Sequence, residues 1–271
     1  MLRLAIAAVL VLASKATLAR EFEKDFAVYL AGEETLARLG PLPLPRALIA
    51  KAIDHAAQHD ARGVVIKLFL DQARSMEDDL PLASSMRKLP VALQARIDDA
   101  EAAPNPFEAR FALADTSLHA AISGTRGWIP TPVLAKEAHS ICFVDFDGFP
   151  VPLLEHYGGL PVKSLVTCAI EMATDEKVRV SNGRAFHFGQ EHLRVDDMNQ
   201  FTDRKRFSEA ENFRELADLI EGQVSAQQIA GRVIIIGYDS SDMATVSTPT
   251  RPLRLHRAFA AYLKTIYEDL R

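Results

Sequence analysis

The stretch from Gly231 to Gly237 constrains this fold more than any other part of the chain. Val233, Ile234, Ile235 and Ile236 follow one another with no polar residue between them, and a glycine stands near either end. Such an unbroken β-branched run suits a strand covered on both faces, as in the middle of an α/β sheet. Behind it, Tyr238-Asp239-Ser240-Ser241-Asp242 is polar and turn-forming, and Thr248-Pro249 forbids a regular continuation. His256 then opens a last helix, in which Ala258, Phe259, Tyr262, Leu263 and Ile266 recur at helical spacing. A buried strand therefore brings a polar loop and a histidine to one end of a sheet. In open α/β sheets that end is where ligands sit.

The rest of the chain supplies layers for such a sheet. Residues 20–39 alternate charged and apolar residues and fit a strand or a helix. After the prolines at 41, 43 and 45, Arg46 to His59 reads as a helix with Ile49, Ala52, Ile53 and Ala56 on one face. A strand from Val64 to Leu70 follows, interrupted only by Lys67. Ser75 to Leu80 reads as an acidic loop, Pro81 to Lys88 as a short helix, Leu89 to Ile97 as a strand and Ala100 to Pro106 as a linker. Helices are expected over Phe111–Ser123, Lys163–Thr174 and Phe213–Glu221. Ser140–Phe146 reads as a strand, joined through Asp147-Gly148 to an extended stretch from Val151 to His156, a hairpin signal in which Pro150 and Pro152 restrict the return strand to an edge. Short strands and turns fill 178–201, with Ser181-Asn182-Gly183 as a hairpin loop. The fold class is α/β: a layered mixed β-sheet with flanking helices and a small hairpin-rich insertion.

Residues 1–19 have the layout of a secretory signal peptide. Arg3 is followed by an apolar run from Leu4 to Ala13, and small residues precede the expected cleavage after Ala16 or Ala19. The run is about half the ~20 residues a spanning helix needs, and no later stretch is long and apolar enough to span. Export to the periplasm or beyond follows, with residues 20–271 as a single domain and no transmembrane helix in the mature chain. Export permits Cys142 and Cys168 to pair, although two buried thiols fit the apolar neighbours equally well. The net charge is −5, without a basic run or interleaved aromatics, which argues against a nucleic-acid partner.

Taken in order, these pieces resemble the CHASE type-two domain, the second type of Cyclases/Histidine kinases Associated Sensory Extracellular domain. The matching pieces are Pro43 to Arg46 before a helix, the strand Gly63 to Leu70, Phe143 to Gly148 followed by Pro152-Leu153, and Ser164-Leu165 opening a helix. Then come Asn199-Gln200-Phe201, Phe213 to Leu216, Gly231 to Gly237, Thr248-Pro249 and Leu255-His256, over roughly residues 40 to 265. The resemblance implies an extracytoplasmic α/β sensor for a small ligand, ordinarily tethered by membrane helices to an output domain. This chain departs from that pattern. Lys67 stands where an acidic residue is usual, Phe149-Pro150-Val151 lacks the usual arginine, and Pro252-Leu253-Arg254 replaces a glycine before the histidine.

Several residue sets invite a chemical reading. Asp145 and Asp147 begin like a calcium loop, but Phe149, Val151 and Leu153 cannot supply side-chain oxygens, so a turn is the better account. His187, Glu191 and His192 have nearly metal-ligand spacing. On an extended segment the two histidines fall on opposite faces, and no helix signal flanks them. Ser240, Ser241 and the neighbouring aspartates lack a nucleophile elbow and suit turn and capping duty. No catalytic set, metal or cofactor is assigned. The candidate ligand-binding residues are Lys67, Asp71, Tyr238, Asp239, Thr248 and His256. A buried Lys67 must meet an acidic group such as Asp71, Asp239 or Asp242, lose its charge, or reach water. The expected function is a soluble sensory module acting through a membrane-spanning partner, with a ligand-free scaffold contacting other exported proteins as the alternative.

Overall fold

In the computed structural model, which describes residues 20–271, the Val233–Ile236 run lies inside a mostly parallel sheet. The expected signal peptide lies outside the described residues. The main sheet comprises β1 (Phe26–Ala31), β2 (Gly63–Ile66), β3 (Val91–Ile97), β4 (Gly127–Trp128), β5 (Ser140–Phe143), β6 (Phe213–Glu215) and β7 (Val233–Tyr238). Their spatial order is β6-β1-β7-β2-β3. The outer side of β3 is shared by β5, parallel to it from Ala92 to Ala95, and by β4, antiparallel at Arg96 and Ile97.

β7 is thus inserted between β1 and β2 and paired in parallel with both. Its side chains alternate between two cores. Val233 and Ile235 pack with α3 (Leu165–Thr174) and α4 (Leu255–Glu268). Ile234 and Ile236 pack with α1 (Arg46–Gln58) and α2 (Met76–Met86). The continuous apolar run reflects this burial on both faces. The layered mixed sheet, the flanking helices and the antiparallel hairpins Val178–Ser181, Ala185–Phe188 and Glu191–Arg194 agree with the expected class.

Two covalent or ionic ties hold the layers. Cys142 on β5 and Cys168 on α3 form a disulfide, resolving the pairing that composition left open. Arg46 and Asp79, both buried, form an ion pair that fastens α1 to α2.

Several local expectations need correction. The expected acidic loop before Pro81 is the first half of α2, because Glu77, Asp78 and Asp79 fall in its first turn, where acidic side chains complement the helix dipole. Phe111–Ser123 is not a helix. Asp115 accepts hydrogen bonds from the backbone N–H and hydroxyl of Ser117, a local turn that competes with helical bonding. Asp147-Gly148 does not turn a hairpin: the backbone N–H of Val144 still bonds Ala95, and Val151–Pro152 pairs instead with Gln200–Phe201. Residues 213–221 begin as the edge strand β6 before a short helix, Leu216–Ile220. β2 stops at Ile66, leaving Lys67 just past its end, with the Lys67 backbone N–H still bonded to Ile236.

Candidate functional site

The parallel strands β2, β3 and β5 end on one side of the sheet, and α4 begins there. Between them lies a cavity of about 490 Å³, lined at its base by Lys67, Gln94 and His256. Arg96, Asp145 and Asp147 carry charge around it, and Phe69, Ile122, Phe146 and Val246 give it apolar walls. Strand alternation explains the base. Lys67 lies two residues beyond Val65, and Gln94 two beyond Ala92, and both of those alanine and valine side chains belong to the core beneath α4.

Lys67 is 2 % exposed. Its ammonium donates to Gln94 Oε1 at 3.3 Å and lies 5.3 Å from the centre of the Phe259 ring. The acidic partner expected for it is missing: among the described residues, no carboxylate forms an ion pair with Lys67, and Asp71, Asp239 and Asp242 are engaged elsewhere or exposed. Burial, with a smaller contribution from the Arg96 charge, lowers its pKa to about 7. The lysine therefore loses much of its charge at neutral pH, the second of the outcomes open to a buried lysine.

His256 is held from behind. Its Nδ1 accepts the Tyr238 backbone N–H at 2.7 Å, which places the proton of the neutral ring on Nε2. The Tyr238 ring stacks on it, with centroids 5.6 Å apart. Burial and then the Lys67 charge hold the imidazole well below its ordinary pKa, so it stays neutral at neutral pH. Gly237 makes this approach possible, since a Cβ there would stand 2.5 Å from His256 Nδ1.

Of the six residues singled out from the sequence, Lys67 and His256 line the cavity, and Tyr238 orients His256. Asp239 is buried in ion pairs with Arg254 and Arg257 at 2.8 and 2.5 Å. Thr248 donates to the Arg251 carbonyl in an outer loop, and Asp71 lines a separate crevice with Trp128. Sequence reasoning passed over Gln94 and Arg96, although two polar residues two apart at the end of an apolar strand mark one face of its carboxyl end. It also passed over Glu155. That side chain is fully buried behind Asp145, and its Oε1 accepts the Asp145 backbone N–H at 3.2 Å. Burial and the neighbouring Asp145 charge raise its pKa well above that of an ordinary glutamate.

The histidine pair also differs from expectation. His187 and His192 are register partners across the hairpin, on one face, with ring centroids 6.0 Å apart. No group of three or more metal-ligating side chains gathers among the described residues.

The chain is thus a three-layer α/β domain with a polar-based cavity at the carboxyl ends of its strands. Residues 14–266 match the CHASE2 domain, and the chain belongs to that family of extracellular sensory domains. No curated protein and no solved structure matches the chain. Among the described residues no helix is long and apolar enough to cross a membrane.

Proposed function

We propose that the chain is an exported sensory module that binds a small ligand in the Lys67 cavity and passes its occupancy to a membrane-spanning signalling partner. The observation that carries this reading is the cavity itself, built at the sheet end where α/β folds bind ligands and lined by polar groups that the protein leaves incompletely paired. The disulfide supports export, because such bonds persist in oxidising compartments. Cleavage of residues 1–19 as a signal peptide belongs to the same reading. The family is sensory rather than catalytic, and we read the chain as a binding protein and not an enzyme.

Helix α4 offers a route for the signal. Its first residues line the cavity, and its last turns hold the beginning of the described chain: Tyr267 donates to Asp25 and accepts from Arg20, and Lys264 pairs with Glu23 at 2.6 Å. A ligand that prefers one arrangement of residues 238–256 would bias α4 and so residues 20–25. A broad small-molecule thermal-shift screen tests the reading. Hits that raise the melting temperature of the wild type, and are lost when Val246→Trp fills the cavity, are expected, since a ligand held only by the folded state stabilises it.

A scaffold role, contacting other exported proteins, is the second reading. Met76 and Leu80, 61 % and 49 % exposed on α2, favour it. A screen without hits, beside a pull-down that recovers a protein through α2 and loses it on Met76→Ser/Leu80→Ser, would turn the conclusion that way.

A further inference from the structure

The base of the cavity is made of donors. Lys67 spends one of three N–H groups on Gln94. By accepting that bond through Oε1, Gln94 leaves its amide NH₂ as a second donor, and no hydrogen bond from it is found among the described residues. His256, with Nδ1 occupied, offers Nε2–H as a third. These side chains are 2 %, 1 % and 7 % exposed, and all three line the cavity. The acidic residues do not balance them from within. Asp145 is turned to the Ile97 backbone N–H at 2.8 Å and to Arg96 at 3.5 Å, and Asp147 is exposed at the rim. Leu255 and His256, at the start of the 14-residue helix α4, also line the base, where the helix dipole favours negative charge.

We infer that the ligand is a small organic oxyanion, whose acidic head seats between Lys67, Gln94 and His256 and whose apolar body lies against the Phe146 and Val246 walls. The inference rests on the sensory reading of the same cavity. A buried cation with no carboxylate partner is costly, and an incoming carboxylate or phosphate supplies the missing half of the pair while accepting from all three donors. An ammonium-headed ligand would meet the same donors as like charge and unpaired N–H groups. Arg96, half-exposed at the cavity edge, adds attraction during approach.

The inference also specifies how binding responds to pH. The charged and titratable groups around Lys67 are Arg96 from β3, Asp145 and Asp147 after β5, and His256 from α4. Of these, the lysine is the group poised near neutrality, at about 7. Anion binding favours its charged form, so affinity is greatest below neutral pH and falls as the solution becomes alkaline.

Isothermal titration and thermal shift with benzoate, butyrate and inorganic phosphate, each beside chloride at equal ionic strength, and with benzamide and butyramide as neutral isosteres, test the class. The carboxylates are expected to bind and the amides not. Lys67→Met should weaken binding about 10- to 100-fold, the loss expected for a charge-assisted hydrogen bond. Gln94→Glu is a second variant that keeps the lysine and sets an internal carboxylate beside it, and it should abolish oxyanion binding. Phosphate binding with no carboxylate binding would still support the oxyanion head and would name its source. Amides binding as well as carboxylates, or carboxylate binding untouched by both variants, overturns the anion and leaves a ligand cavity standing. If no oxyanion binds, the inference is again overturned; neutral hits in the broad screen would then preserve the sensory reading, and their absence would sink both.

Discussion

Lys67 is the residue on which the account turns, and its energetics can be isolated. In an unfolded chain a lysine titrates at the ordinary value of 10.5, whereas in the folded protein Lys67 is lowered to about 7. Between those values the unfolded state holds a proton that the folded state has released, so this group makes stability rise with pH across that window. Below about 7 the folded protein buries the charged form and the full cost applies. Lys67→Met keeps the length of the stem without the charge. Urea unfolding should find the variant more stable than wild type, by on the order of 5 kcal/mol below neutral pH, with the gain shrinking toward zero above the lysine's ordinary pKa. A constant difference across pH would mean that Lys67 is solvated or paired. The sequence marked this residue by its place inside an apolar run, yet partner choice was beyond it. Acidic candidates were nearest in sequence, but strand alternation turns Lys67 toward Gln94 and Phe259 and away from Asp71.

At the scale of elements, β7 and α4 meet through Gly237 and His256. Gly237→Ala would put a methyl group 2.5 Å from His256 Nδ1 and 3.1 Å from Leu30 Cδ2. The ring must move, and the bond from the Tyr238 N–H must lengthen or break. A loss of about 1–3 kcal/mol in stability is expected from overpacking, with a matching change in the His256 ring signals by NMR. An unchanged spectrum would show that the approach is looser than described. β7 itself was legible because burial on both faces writes an unbroken apolar run, and α1 was legible because one-sided burial writes a helical period. What stayed hidden depended on partners distant in sequence. Val151–Pro152 pairs with Gln200–Phe201 about fifty residues away, which no turn signal at Asp147-Gly148 reports. Likewise, the acidic start of α2 resembles a loop until Asp79 is seen paired with Arg46. His187 and His192 came to one face because a turn lies between them, so that the period-two argument for a single strand did not apply.

For the whole molecule, the disulfide ties the β5 edge of the sheet to α3 across a separation of 26 residues. Its removal by the double substitution Cys142→Ala/Cys168→Ala should lower unfolding stability by about 3–4 kcal/mol, on the chain-entropy estimate for a loop of that length. Equal urea midpoints for oxidised, reduced and substituted protein would contradict the tie. The family, the layered sheet and the position of the cavity agree in describing a sensory module, and the sequence disclosed them through the order of its pieces more than through any single motif. The polar base of the cavity was only half visible, since Gln94 and Arg96 acquire meaning once β3 is set beside β2. The central claim, that a buried and acid-free lysine stands ready at the carboxyl end of the sheet, is open to direct titration. NMR of the Lys67 side chain, assigned by comparison with Lys67→Met, should give a pKa of about 7 in the free protein and a higher value when benzoate is bound. A free-protein value at the ordinary 10.5, indifferent to benzoate, would contradict it.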